Sequence, residues 1–172
     1  HETGWHTEGE IAGWEHHYSS HMKNANVYAE ASRWVNGDYT ETTACFFSDI
    51  DHDGGEELVI HNDKAFFVFE GIGGKANWIF SKDDMGNAYS VVGSDVAYFS
   101  ETDGDYNESS NNHVAALSDV SPNQQNSIYE ISIVQSTGDL VIATLSQFGV
   151  TKTIQLETGS KYLDVTYNFF GE

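Results

Sequence analysis

The chain of 172 residues carries 7 lysine and arginine residues against 27 aspartate and glutamate residues, a formal net charge of −20. Such a surface repels phosphate backbones and excludes nucleic-acid binding, and an aromatic content of 13% separates the chain from disordered proteins. No stretch has the length of a membrane span, so we expect an acidic extracellular or cell-surface protein.

The N-terminal part is predicted to be a loop followed by one amphipathic helix. Residues 1–13 are polar and contain three glycines, and the absence of an initiator methionine indicates a processed product or a fragment. Residues 14–35 repeat apolar side chains at helical spacing, and Gly37 provides a C-terminal cap. The stripe expected to pack against a sheet or a neighbouring domain consists of Trp14, Tyr18, Met22, Ala25 and Ala29.

After Gly37 the helical periodicity gives way to short apolar or alternating segments separated by turn residues. This pattern predicts a mainly β fold, an antiparallel β-sandwich preceded by the helix, with segments 1–37 and 38–172 as the two parts of the chain. Cys45 lies in an apolar run and is expected to be a small buried residue. The predicted strands are 42–48, 57–62, 64–70, 75–81, 88–93, 128–135, 140–146, 150–156 and 162–169.

The segment 49–57, with the sequence DIDHDGGEE, has the pattern of a calcium loop. Asp49, Asp51 and Asp53 at alternate positions can direct three carboxylates to one point, and the carbonyl of Gly55 and the carboxylate of Glu57 complete the shell. The twelfth position is isoleucine, not glutamate, so the loop is not an EF-hand. We therefore predict a Ca²⁺ site that fastens a loop to a strand; the alternative is an acidic surface turn.

Several segments, taken together, resemble the family-57 α-glucan-active glycoside hydrolases. They are ETGW at 2–5, YSSH at 18–21, YAEA at 28–31, the acidic loop, NDKAFFVF at 62–69, GVTKTIQL at 149–156 and YLDVTY at 162–167. The resemblance implies that the helix closes a catalytic domain and that the β part opens a β-supersandwich domain continuing past residue 172. It also implies that the catalytic carboxylates lie upstream of His1, with Glu2 and Trp5 near the cleft rim.

Two functions from different classes follow. The first is a non-catalytic, calcium-stabilised accessory β-domain of a secreted α-glucan-active glycoside hydrolase, whose partner is the upstream catalytic domain. The second is an extracellular structural protein, a filament or surface-layer subunit, whose neighbouring subunits join through unpaired sheet edges.

Other residues are candidates for sugar binding, zinc binding or glycosylation. Trp5 and Trp78 are candidate contacts for α-glucan, because an exposed indole stacks on a sugar ring, although Trp78 can face either side of its strand. His17 and His21 share a helix face at a spacing that can hold zinc, but solvated histidines are the simpler interpretation. Asn107 begins an N-glycosylation triplet.

Overall fold

A computed structural model describes residues 13–93, 98–99, 106–107, 115–117, 119 and 127–170, and describes only the main chain for 13–20, 98–99 and 106–107. Within these residues one helix, α1 (Gly13–Asn36), precedes a series of antiparallel strands. The strands are β1 (Ala44–Ser48), β2 (Glu57–His61), β3 (Ala65–Glu70), β4 (Lys75–Lys82), β5 (Ala88–Gly93), β6 (Tyr98–Phe99), β7 (Tyr106–Asn107), β8 (Glu130–Gln135), β9 (Leu140–Gln147), β10 (Val150–Glu157) and β11 (Asp164–Phe169).

The strands form two main antiparallel sheets, which confirms the predicted mainly β fold. The first sheet has the order β1-β2-β3-β4-β5 and the second the order β11-β10-β9-β8, while β6 and β7 pair with each other. Consecutive strands of each sheet pair as antiparallel hairpins; the β2–β3 and β9–β10 connections are short turns, whereas the acidic loop joins β1 to β2. Gly37, Gly138, Gly149 and Gly159 all have positive φ at such turns and at the end of the helix.

Two apolar layers hold the molecule together. The inner faces of the two sheets meet in one layer, which includes Leu58, Phe69, Leu145 and Ile154, all with no exposed surface. The outer face of the first sheet carries a second layer, in which Val59, Phe66, Val68, Trp78 and Phe80 pack against the helix residues Val27, Ala31 and Trp34. The order of layers is therefore helix, first sheet, second sheet.

The helix faces the first sheet with a different stripe from the predicted one. Met22 is 65% exposed, and Ala25 and Ala29 are also exposed, so packing of these residues against the sheet is wrong, whereas packing against a neighbouring domain stays a prediction. Val27, Ala31 and Trp34 form the buried stripe, at i, i+4 and i+7. The side chains of Trp14 and Tyr18 lie outside the described residues.

Asn62, in the turn between β2 and β3, joins all three layers. Its Oδ1 accepts hydrogen bonds from the main-chain N–H groups of Lys64 and Ala65, each at 2.8 Å, which closes the hairpin. Its Nδ2 donates to the carbonyls of Glu157 at 2.6 Å and Ser160 at 2.7 Å, in the turn after β10. The side-chain amide, which is fully buried, is therefore completely hydrogen-bonded. The main-chain carbonyl of Asn62 accepts a further hydrogen bond from the indole N–H of Trp34 at 2.7 Å.

Candidate metal centre

The acidic loop between β1 and β2 is shaped by its own carboxylates. The main-chain N–H of Asp53 donates to Asp49 Oδ1 and to Asp51 Oδ1, both at 3.0 Å, and the N–H of Gly54 donates to Asp49 Oδ2 at 3.3 Å. His52 and Gly54 turn the chain through positive φ values of 64° and 93°. The loop therefore has the sharp return that lets residues at both of its ends approach one another.

Three of the predicted ligands converge in the structure. Asp49, Asp51 and Glu57 each offer one carboxylate oxygen, and these oxygens all lie within 4.8 Å of one another. Asp51 is 1% exposed and Glu57 is 2% exposed, so two of the three carboxylates are withdrawn from water. Ionised carboxylates this close repel each other strongly, and the repulsion is relieved by a proton or by a cation.

The electrostatics of Glu57 reflect this crowding. Burial raises the pKa of Glu57 to about 7, and the neighbouring charge of Asp51 adds to the rise. The N–H of Ile50 donates to Glu57 Oε2 at 3.0 Å and partly offsets the effect by favouring the ionised form. Without a cation, the site therefore binds a proton at Glu57 close to neutral pH.

Asp51 contributes a buried oxygen that accepts no hydrogen bond from the described residues. Burial raises the pKa of Asp51, against an opposing attraction from the ammonium of Lys23. The Asp51 Oδ2 atom lies 3.4 Å from Lys23 Nζ, an ion pair without hydrogen-bond geometry. A carboxylate oxygen that is withdrawn from water and has an ion pair but no hydrogen bond is a candidate ligand.

Two helix residues that the sequence interpretation missed hold the loop against the protein. Lys23 Nζ donates to Asp53 Oδ2 at 2.6 Å, and Asn26 Nδ2 donates to the main-chain carbonyl of Asp51 at 2.9 Å. No sequence motif predicts these contacts, because the partners are 30 and 25 residues apart. The only signal is that polar residues lie on a helix face beside Val27.

Asp53 differs from the other predicted carboxylate ligands, while the predicted role of the Gly55 carbonyl stays a prediction. The hydrogen bond from Lys23 lowers the pKa of Asp53 and turns its Oδ2 towards the ammonium. Its Oδ1 accepts from the N–H of Gly55 at 2.7 Å, on the exposed side of the loop. The convergent set is therefore Asp49, Asp51 and Glu57, with Asp53 bonded to the helix.

The donor set fits a hard divalent cation. All three side-chain donors are carboxylate oxygens, and Ca²⁺ prefers oxygen ligands, with six to eight in its shell. Main-chain carbonyls and water would supply the remaining ligands. Soft or imidazole-preferring metals are disfavoured, because neither sulfur nor histidine belongs to the described cluster.

Among the remaining predicted site residues, Trp78 is buried, and several others lie outside the described residues. Trp78 has no exposed surface, and its indole N–H donates to Asn24 Oδ1 at 2.8 Å. It has no face to offer a sugar ring, so the predicted glucan contact at Trp78 is wrong. Trp5, Glu2 and the side chains of His17 and Asn107 lie outside the described residues, and His21 is exposed on the helix.

The buried thiol of Cys45 is part of the inner layer, at 2% exposure, which confirms the predicted buried cysteine. Within the described ranges, no helix combines the length and the apolar character needed to cross a membrane.

Comparison with protein-family models, with curated proteins and with solved structures finds no match.

Proposed function

We propose that this chain is a calcium-stabilised, non-catalytic β-domain that acts as an accessory module of a secreted α-glucan-active glycoside hydrolase. The observation that carries the calcium part is the convergence of Asp49, Asp51 and Glu57, with a buried Asp51 oxygen to which no described residue donates a hydrogen bond. The glycosidase part rests on the sequence resemblance alone.

A bound cation would stabilise the junction between the helix and the first sheet. It would neutralise three carboxylates at the point where the loop enters β2, and the same loop is held to the helix by Lys23 and Asn26. A ligand that binds only the folded chain raises its stability by about 2.7 kcal/mol at a concentration of 100 times its Kd. The calcium site would therefore hold the helix in a fixed orientation for packing on a neighbouring domain.

The carboxylate chemistry of the described residues favours a structural role over catalysis. A glycosidase needs a general acid with a raised pKa that touches its substrate. Glu57 has the raised pKa but is 2% exposed and accepts a hydrogen bond from the N–H of Ile50. It has no access to a sugar, and a bound cation would hold it ionised.

The deciding experiment is thermal unfolding of the purified chain with excess Ca²⁺ and with a chelator. We expect Ca²⁺ to raise the Tm, and we expect Glu57→Gln to abolish that response by removing one buried anionic ligand. The matched control is Glu56→Gln, an exposed neighbour outside the convergent set, which should keep the full response. An unchanged Tm in the parent chain on chelation would show that the loop is only an acidic turn.

The structural alternative is favoured by one observation. Strand β5 lies at the edge of the first sheet among the described strands, and its Tyr89 and Val91 are 52% and 56% exposed. Such an edge is a template for pairing with another chain. Formation of ordered polymers by the purified chain, seen by light scattering and electron microscopy, would support this alternative.

An activity assay separates the accessory module from an enzyme. We expect no release of reducing sugar from starch, maltodextrin or pullulan by the isolated chain. Turnover that Glu2→Gln abolishes would contradict the proposal and identify a catalytic carboxylate in the N-terminal segment.

A further inference from the structure

Lys152 is a buried ammonium that the proposed function does not use. It lies on β10, faces the interior of the sandwich and has no exposed surface. Its Nζ donates to the carbonyls of Gly74 and Leu117, both at 2.7 Å, and lies 2.9 Å from Asp119 Oδ2. The same Asp119 oxygen accepts a hydrogen bond from the hydroxyl of Tyr129.

We propose that Lys152 and Asp119 condense into an intramolecular amide, an isopeptide cross-link between β10 and the connection that precedes β8. The reacting groups are 33 residues apart in sequence and already in hydrogen-bond contact in the folded chain. This is a covalent modification site formed by the fold itself.

The reaction needs no oxidant, reductant or cofactor. One ammonium proton passes to Asp119 Oδ2, and the neutral amine keeps two N–H groups, one for the carbonyl of Gly74 and one for that of Leu117. The remaining lone pair faces the carboxyl group and attacks its Cγ. One C–N bond forms and the Cγ–Oδ2 bond breaks; Oδ2 leaves as water with two of the three original ammonium protons.

Burial favours the neutral amine that the attack requires. It lowers the pKa of Lys152 against the opposing attraction of Asp119, while the faces of Tyr129 and Tyr167, at 4.8 and 5.6 Å from Nζ, hold the ammonium in place before the proton transfer. Asp119 has a side-chain exposure of 13%, so little water competes with the amine. Reactants fixed in contact reach effective molarities of about 10⁵ M or more when their geometry is productive.

Tyr129 is the positioning residue for the leaving oxygen. Burial raises the pKa of its hydroxyl, with a further rise from the hydrogen bond to Asp119, so the group remains a donor at physiological pH. Its ring packs directly on Gly74, where an added Cβ would lie 2.6 Å from the ring. Glycine at this position therefore lets the tyrosine reach Asp119.

The amide would join the second sheet covalently to a segment that is hydrogen-bonded to the first. Lys152 belongs to the second sheet, whereas the segment that contains Leu117 bridges to β4 of the first sheet through Ala76 and Ala116. A cross-link here closes a loop that contains β8, β9 and part of β10, and such closures lower the entropy of the unfolded chain.

Intact-mass measurement of the purified, folded chain tests the proposal. We expect a mass lower than that of the sequence by one water, and a branched tryptic peptide that joins the segments around Asp119 and Lys152. Asp119→Ala should restore the full mass. Asp119→Asn should lose ammonia instead of water if it reacts, and Tyr129→Phe should slow the reaction by removing the hydroxyl donor.

A cyclic imide at an Asp-Gly step, such as Asp53-Gly54, also loses one water and is excluded by two controls. Hydroxylamine cleaves the chain at an imide and leaves an isopeptide intact, and Asp119→Ala retains any imide. A parent chain at full mass after prolonged incubation in the folded state would overturn the proposal. That measurement needs no variant, so poor folding of a mutant does not affect the decision.

Discussion

The two sheets of this molecule use the same antiparallel connectivity but bury their strands differently. In the first sheet, β2 is buried at every position and β3 at every position but the last. In the second, β10 alternates between buried and partly exposed residues along most of its length. The difference arises from the helix, which covers the outer face of the first sheet, whereas the outer face of the second sheet carries threonines such as Thr144, Thr153 and Thr166, paired across strands.

Because the first sheet is covered on both faces, several polar side chains of this sheet and its loops are buried. Asp51, Glu57, His61, Asn62 and Asn77 are all at most 3% exposed, and all belong to the first sheet or its loops. A polar group in such a layer needs a hydrogen bond, a counter-ion or a metal. The candidate metal centre lies in the loop between β1 and β2, where the carboxylates of Asp51 and Glu57 are withdrawn from water.

The largest expected effect comes from removing the anchor between the helix and the first sheet. Trp34→Ala should lower the free energy of unfolding by about 3–5 kcal/mol, because it empties a buried site and removes the hydrogen bond to the Asn62 carbonyl. Met22→Ala, on the exposed side of the same helix, should change it by about 0.5 kcal/mol or less. Urea unfolding measures both; equal effects would contradict the assigned helix face.

The next effect concerns pH. Burial lowers the pKa of His61 from 6.5 to about 4, and the charge of Lys82 adds to the shift. The unfolded chain therefore binds a proton first on acidification, and His61 should reduce the stability as the pH falls from about 6.5 to about 4, by roughly 3 kcal/mol in total. His61→Phe should remove this contribution.

The measured quantity is the difference in the free energy of unfolding between the parent chain and His61→Phe, in the presence of chelator, at each pH. Glu57 contributes a slope of opposite sign, because its raised pKa lets the folded chain take up a proton first between about 7 and 4.5. That contribution is common to both proteins and cancels. A constant difference between parent and His61→Phe across this window would refute the assignment.

The smallest expected effects compare the outer faces of the two sheets directly. Val59→Thr introduces a hydroxyl between the helix and the first sheet and should cost about 1–3 kcal/mol, since Val59 has no exposed surface. Thr153→Val makes the reverse change on the outer face of the second sheet and should alter the stability by about 0.5 kcal/mol or less. A comparable loss for both would mean that the second sheet is also covered in solution.

The strand positions were predictable because local signals and tertiary structure agree. Segment 88–93 matches β5 at both ends, and each of the other predicted strands matches at one end and differs by one or two residues at the other, where turn residues compete with the ladder. Continuous apolar segments such as Leu58-Val59-Ile60 are also typical of strands that are buried on both faces of a sheet. Under that interpretation, Trp78 belongs in a core and not on a sugar-binding surface.

The buried helix face could not be predicted from apolarity alone. Ala25 and Ala29 satisfy the helical period but lie in water, whereas Lys23, Asn24 and Asn26 reach partners on the sheet or the loop. Small side chains stabilise a helix wherever they point, so they do not identify its packing side. The same long-range contacts explain why Asp53 bonds to Lys23, which loop spacing cannot foretell.

The fully bonded amide of Asn62 has a consequence for the order in which the chain is completed during synthesis. The β2–β3 hairpin leaves the ribosome early, but the acceptors for the Asn62 amide are 95 and 98 residues further along. Until the turn after β10 emerges, that amide must bond to water, and the hairpin cannot bury it without cost. The hairpin after β10 therefore completes the hydrogen bonds of the β2–β3 turn, and the Asn62 amide stays hydrated until that later hairpin has been made.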